Sequence, residues 1–378
     1  MPSVIRDEHT VLRDYSDFHQ SAEVFRSTTP ASDAELAEVL RFAADHELDV
    51  RVQGRHHSMN GSSLPRSGEL LIYTSGLNHY RCERVDTITV GAGAVVFDVD
   101  QMLRSWGFAL RLVNDGGRPT ATAAGFVSAG GIGNETWIYG GFWETVKQVK
   151  VYTVAGELLT LAPGDPLFRW LFGSMGQLGV IAEVTLRVEP LEEGDKPEYP
   201  LGPEYPLGPK YPLGPEYPLG RAGVVAHEPH EWEKNFWLTL FVPDDDAPEA
   251  RALLDGLAAA YPTAWKRRNN YLYPIQFHTF NPPLIYPKDE SFSAVGVWGQ
   301  SPDGKTFDFA KLAEMERRFD MVVRKKPDWR RYIQSEMTFG ERDWPSTFGD
   351  QVYADFAARK HELDPQHRLN PGVVFPRR

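Results

Sequence analysis

Apolar residues recur at helical spacing over residues 32–46, where Leu36, Val39, Leu40 and Ala43 share one face. Ser32 and Glu35 form a capping box at the start, which predicts a helix from Ser32 to His46. The period then drops to two. Leu48, Val50 and Val52 alternate as a strand does, and Glu69–Thr74 and Thr87–Gly91 predict further strands. Val99, Met102, Leu103 and Trp106 restore an i, i+3, i+4, i+7 stripe, closed by Gly107 at a C′ position. Residues 30–110 thus alternate strand and helix, an α/β or α+β pattern.

Val146–Val154 alternates again as a strand. Asp165-Pro166 opens a short predicted helix, L-F-R-W-L-F, that stops at Gly173. The glycine-punctuated run Gly173–Ile181 leads into a strand over Val180–Val188. Residues 197–220 are four copies of the hexapeptide P-E/K-Y-P-L-G. Proline fixes φ and removes amide donors, so this insertion reads as extended polyproline II and marks a domain boundary. Beyond it, Phe236–Val242, Ser293–Trp298 and Tyr332–Phe339 read as strands. Between them, Leu254, Leu257, Ala258 and Tyr261 line one helix, and Leu312, Met315, Phe319 and Val322 another. Phe348, Val352 and Phe356 form a last helical face before the turn-rich tail Asp364–Phe375. The expected division is 1–190, the insertion 191–222, a second domain 223–344 and a returning segment 345–378.

Composition narrows the class. The 378-residue chain carries a net charge of −12, which argues against a nucleic-acid partner, since binding one needs a basic face to neutralise phosphates. Its single cysteine, Cys82, excludes an internal disulfide and reads as a half-buried structural thiol. No apolar run approaches membrane-spanning length and Met1–Thr10 has no apolar core, so the expectation is a cytoplasmic protein without a membrane partner. Composition sets no oligomeric state.

Three stretches carry candidate chemistry. V-Q-G-R-H-H-S-M-N-G (Val52–Gly61) places Gly54, then His56, His57 and Ser58, at a strand end. Taken alone it also reads as a surface loop with two solvated histidines. Gly91–Val96 (G-A-G-A-V-V) has the setting of a dinucleotide fingerprint but lacks its last glycine and its acidic partner, so a nicotinamide site is not expected. Asn114–Gly141 holds eight glycines among small residues, which suits a cradle of backbone amides for a pyrophosphate.

Four motifs in order carry a resemblance: G-x-x-H-S at Gly54–Ser58, the small-residue cradle Ala123–Gly133, the run Val146–Ile181, and D-P-x-x-x-L-N-P-G at Asp364–Gly372. Together they resemble the FAD-linked oxidases and dehydrogenases of the vanillyl-alcohol oxidase type, nearest to the cytokinin dehydrogenase and alditol oxidase branches. The resemblance covers residues 20–190 and 345–378. It implies an α+β fold: a two-lobed PCMH-type FAD-binding domain with an inserted α/β substrate (cap) domain. It also implies FAD joined covalently through His57. Gly54, Arg55, His56, Ser58, Asn60 and Gly61 would wrap the isoalloxazine and diphosphate. Thr122, Gly125, Ser128, Ala129, Gly130, Gly131, Ile132 and Gly133 would hold the rest of the diphosphate and the ribityl chain. Gly179, Val180 and Ile181 would lie near the adenine or the ring. His56 stands where relatives often have glycine, so either histidine could carry the link, with His57 keeping the H-S spacing.

The implied activity is an oxidase that passes a hydride from a C–OH or C–NH carbon of a small molecule to flavin, with dioxygen as acceptor. Asp115, Glu336 and His278 are the catalytic candidates; equally, Asp115 reads as a turn residue and His278 as a core histidine. Asn370 would touch the flavin edge or cap the terminal turn. Trp137, Tyr271 and Tyr273 could shape an apolar pocket. Other readings are a flavin-binding cyclase or isomerase without net redox, and a non-catalytic module that docks a partner through the repeat. His227, His230, His56 and His57 lack a third ligand at usable spacing for a metal.

Overall fold

The structure is a computed structural model. It describes residues 5–110, 112, 120–133, 136–191, 220–221, 235–264, 266–275, 280–286, 288, 291–303, 306–335 and 344–377. The fold is α+β.

The first sheet has the order β1-β2-β4-β3, from Arg6–His9, Val24–Thr28, Leu70–Tyr73 and Val50–Gln53 respectively. β2 and β3 both run parallel to β4. Helix α1 (Asp33–Asp45) makes the crossover from β2 to β3. The Ser32 side chain accepts from the Glu35 amide at 3.2 Å, while the Glu35 carboxylate accepts from the Ala31 amide at 2.8 Å. Leu36, Val39, Leu40 and Ala43 are fully buried beneath it, as their spacing requires.

A second sheet of six strands has the order β12-β5-β6-β10-β8-β9. Its members are β5 (His79–Arg84), β6 (Thr87–Gly91), β8 (Val146–Tyr152), β9 (Leu158–Leu161), β10 (Val180–Arg187) and β12 (Gly220–Arg221). All of its pairings are antiparallel. Strands β7 (Phe108–Ala109) and β11 (Glu189–Pro190) make a small ribbon beside it. Helices α2 (Val96–Ser105), α3 (Ala123–Ala129) and α4 (Thr136–Tyr139) lie between β6 and β8 in the chain. One apolar core joins both sheets and α1–α3, and it includes Cys82.

The third sheet has the order β14-β15-β13-β16, from Lys266–Ile275, Phe292–Gln300, Asn235–Pro243 and Arg330–Arg331. Phe236, Leu238, Leu240 and Val242 alternate onto one face, where α5 (Ala247–Ala260) and α6 (Phe309–Val323) bury Leu254, Leu257, Leu312, Met315 and Phe319 against them. Phe241, Phe292 and Ala294 lie in the larger core instead, so the sheet stands between two cores. The expected α/β character of this part is corrected: its strands pair antiparallel and its helices share one face.

Helices α7 (Trp344–Phe348) and α8 (Asp350–Leu363) follow, separated by Gly349 at φ +85°. The single helical face expected over Phe348–Phe356 is therefore two helices. The chain then returns to the first sheet. The Val50 amide donates to Arg368 O at 2.8 Å, and the Asn370 amide to Val50 O at 2.7 Å.

Two other elements differ from the pattern. The expected helix after Asp165 is one 3₁₀ turn, Phe168–Trp170, because four of its six residues are drawn into the core. In place of the strand expected from Tyr332, the described residues pair at Arg330–Arg331, just ahead of it, Tyr332 donates its amide to Thr239 O, and the chain turns 3₁₀ at Ile333–Ser335; residues 336–343 lie outside the described part.

Candidate functional site

A cavity of about 280 Å³ opens where the first sheet, α3, the loop before β10 and the third sheet meet. Four of the segments that build its walls carry the residues singled out in the sequence. Gly54, Arg55, His56, His57 and Ser58 come from the loop after β3, joined by Ser62 and Ser63. Thr122, Gly125, Ser128, Ala129, Ile132 and Gly133 come from α3 and the turn that follows. Gly179, Val180 and Ile181 come from the entry to β10, and Asn370 from the C-terminal tail. The sequence candidates are thus brought together from positions more than 300 residues apart.

Local backbone chemistry explains how the β3 loop presents its histidines. His56 sits at φ +56°, a left-handed conformation that turns the chain sharply. Its Nδ1 lies 3.2 Å from Arg13 O, toward the N-terminal segment. His57 Nδ1 lies 3.3 Å from Thr120 Oγ1, and its ring meets Tyr15 edge-on with centroids 5.1 Å apart. Trp237 is 6.1 Å from His57 and 5.6 Å from Tyr15, so the three rings form one cluster. Tyr15 is itself fixed, its amide donating to Ser58 O at 3.0 Å and its hydroxyl accepting from Asn235 Nδ2 at 3.2 Å.

On the opposite wall, Thr122 caps α3 by accepting from the Gly125 amide at 3.2 Å. Gly54 passes so close that a Cβ there would lie 2.7 Å from Thr122 Oγ1. Gly125 remains exposed on a helix whose neighbours Ala123, Ala124 and Phe126 are buried. Gly179 has φ +149°, and a Cβ on it would overlap Val151 Cγ1.

Four candidates stand outside the lining. Gly61 (φ +67°) turns the chain beneath His19, with a Cβ 2.9 Å from that ring. Asn60 accepts from Ser58 Oγ at 2.5 Å and donates to Ile333 O at 3.2 Å, tying the loop to the third sheet's segment. Gly130 is the left-handed C-cap of α3, and Gly131 packs against the Phe126 ring. These residues shape the walls from behind. Asp115, His278 and Glu336 lie outside the described residues, as do the side chains of Trp137, Tyr271 and Tyr273 and most of the repeat.

Several lining residues had no sequence signal. Tyr15 stands in a polar segment without periodicity, and Trp237, Trp298, Tyr332 and Gln334 read only as parts of strands. The serines Ser62 and Ser63 follow the histidine motif directly and were legible by proximity. Gly91 and Gly93 have a packing role: a Cβ on either would overlap a backbone oxygen of the Thr74–Leu77 turn.

The donor set fits FAD. Glycine, alanine, serine and threonine leave backbone and hydroxyls facing the cavity without bulk. Arg55 lines it, and its buried Nε has no hydrogen-bond partner among the described residues, as an anion-binding guanidinium would. None of the described lining residues is acidic.

A separate cluster, Asp33, His79 and Glu183, has metal-type spacing. Its chemistry is that of an ion-pair network. Glu183 accepts from His79 at 2.8 Å, from Arg81, and from Lys150 at 2.7 Å. Burial opposes its ionisation, yet these hydrogen bonds hold the carboxyl well below the usual range. Burial pushes the Cys82 thiol up to about 11, which leaves it inert. Among the described residues no helix is long and apolar enough to cross a membrane.

Residues 27–162 match the family described as an FAD binding domain. A cytokinin dehydrogenase of Oryza sativa subsp. japonica is 30% identical over 200 residues, covering 49% of this chain and 37% of the relative. An FAD-linked oxidoreductase of Aspergillus ruber is 26% identical over 176 residues, 45% of this chain and 34% of its own. A D-arabinono-1,4-lactone oxidase of Yarrowia lipolytica is 29% identical over 174 residues, 43% and 31% respectively. The matches span about a third of the length of each of these relatives. Residues 27–162 are thus similar to an FAD-binding domain shared with FAD-linked oxidases and dehydrogenases, and FAD is the cofactor this match supports.

Proposed function

We propose that the chain is an FAD-dependent oxidoreductase that carries its flavin covalently on His57 and oxidises a C–OH or C–NH carbon of a small molecule. The observation that carries this reading is the convergence of the β3 loop, α3, the Gly179 turn and Asn370 on one cavity that the third sheet closes. In this reading residues 1–190 and 345–378 form a two-lobed cofactor domain, and 223–344 the substrate cap. Bound FAD supplies the redox chemistry, a two-electron acceptor for the substrate hydride, with dioxygen as the final acceptor, released as hydrogen peroxide.

The chain's own residues have distinct tasks. With Nδ1–H donating to Thr120 Oγ1, the His57 Nε2 carries the lone pair that covalent attachment needs. Tyr15 and Trp237, in contact with each other, pack together against the imidazole. Arg55 offers charge to the diphosphate. Backbone amides beside Gly54 and Gly125 approach it unhindered. The substrate's hydroxyl or amine proton leaves to a base, for which Asp115, His278 and Glu336 are the candidates.

Mass spectrometry of the tryptic peptide 56–66 tests the link. An FAD adduct that disappears in His57→Ala and persists in His56→Ala is expected. A colourless folded protein, or an adduct lost only in His56→Ala, overturns the assignment. Peroxide release during turnover separates an oxidase from a cyclase that uses the same pocket without net redox.

A further inference from the structure

Among the described residues, the apolar core beneath α5 and α6 is built from positions 236–329 with one addition from elsewhere, Met59 of the loop after β3. Met59 is fully buried there and stands outside the cavity lining, although His57, two residues earlier, lines the cavity. The loop therefore turns one side chain to the cavity and sinks another into the α5–α6 core. Its neighbours repeat the tie. Ser58 O accepts from the Tyr15 amide at 3.0 Å, and Asn60 Nδ2 donates to Ile333 O at 3.2 Å. The fully buried Ser16 donates its hydroxyl to Asn235 O at 2.5 Å, and the same Oγ lies 3.5 Å from Met59 Sδ. Phe18 closes the join, its ring 5.7 Å from that of Phe236 and 5.5 Å from that of Phe307.

We infer that Met59 is a positioning residue: it registers the histidine loop against the α5–α6 core, so that attachment of FAD at His57 requires the cap to be folded onto the loop. This deepens the function proposed above and rests on it. Attachment replaces one C–H of a flavin ring methyl and one N–H of the imidazole by a C–N bond, and dioxygen takes both hydrogens with their electrons as hydrogen peroxide. The imidazole must be held within bonding reach of one carbon, and a displacement of about 1 Å slows such a step about a hundredfold. A methionine sunk in a close-packed core leaves its backbone little freedom to drift. The third sheet also closes the cavity, so a loop that reaches its working position on this core links cofactor loading to closure of the site.

The test compares full-length variants purified with FAD in excess. The readout is the share of bound FAD that stays with the chain after acid precipitation, with denaturant midpoints taken alongside. Met59→Ala should lower that share by about fivefold or more. Met59→Leu, which keeps the volume, should restore it to within about twofold of the parent. Leu254→Ala opens a cavity in the same core from α5, so it should lose comparable stability and keep the parental share. Met59→Val, a smaller truncation, should fall between the parent and Met59→Ala, and it carries the comparison where Met59→Ala does not fold. A parental share in every Met59 truncation that folds, or an equal fall in Leu254→Ala, overturns the inference and leaves the covalent flavoprotein reading standing. A parent chain that binds FAD and releases all of it on precipitation overturns both.

Discussion

Asn370 and Gly176 meet across the back of the cavity: the Asn370 amide nitrogen donates to Gly176 O at 2.8 Å. The same side chain accepts from the Val52 amide at 3.0 Å, and Gln177 Nε2 donates to Asn370 O at 3.0 Å. One residue of the tail thus ties the strand that leads into the histidine loop to the turn that precedes β10. Asn370 also sits at φ +47°, a conformation asparagine tolerates better than alanine. Asn370→Ala should cost about 2 kcal/mol, from two half-buried backbone groups, Val52 N–H and Gly176 O, left without this partner and from added backbone strain. Urea unfolding in the His57→Ala background measures it, and in the parent protein flavin content should fall in parallel.

His56 and His57 should separate cleanly by substitution. His56 pays for its left-handed backbone, which glycine adopts without strain, and its ring Nδ1 lies 3.2 Å from Arg13 O. His56→Gly should leave stability within about 1 kcal/mol of the parent, because relief of strain offsets the lost bond. The flavin adduct on peptide 56–66 should persist. A loss of adduct in His56→Gly equal to that in His57→Ala would show that His56 carries the link.

Gly179 tests whether a small residue beside the cavity is there for packing or for the ligand. A Cβ would overlap Val151 Cγ1 and lie 2.9 Å from Tyr152 O, with φ +149° adding strain. Gly179→Ala should destabilise by about 3 kcal/mol, as overpacking at a strained site does, and by the same amount in the His57→Ala background. Gly164→Ala, where a Cβ meets nothing within 4 Å, is the control and should be near neutral. Thermal unfolding of both variants decides it.

What the sequence revealed follows from how local each signal is. The α1 stripe and its capping box lie within fifteen residues, and the helix is where they place it. The histidine loop and the α3 cradle were legible because glycine and small residues mark close backbone approach wherever they occur. The aromatic side chains of the cavity were not. Trp237 and Trp298 look like any buried strand aromatics, and only the register between β13 and β15 shows that they share the face turned to the cavity. Asp165-Pro166 carried a good helix start, but Phe168, Trp170, Leu171 and Phe172 are all needed in the core, and no single helical face could bury all four.

Acid should find the Glu183 network before the cavity. Its carboxyl is half of a bridge from β10 to β5 and β8, through Arg81 of β5 and Lys150 of β8. Burial raises its pKa and the hydrogen bonds from His79, Arg81 and Lys150 lower it, with a net shift well below the ordinary 4.5. The folded state therefore binds this proton less readily than the unfolded chain. The resulting stability is fully present above about pH 4.5 and is lost as pH falls through the depressed folded value. Glu183→Gln removes that linkage: the variant should be less stable at neutral pH and show a flatter fall in stability below pH 4.5. Denaturant midpoints taken from pH 7 down to pH 3 measure both effects. An unchanged slope in the variant would mean that other carboxylates carry the acid sensitivity; Asp33 is not one of them, because burial raises its pKa and its protonation favours the folded state.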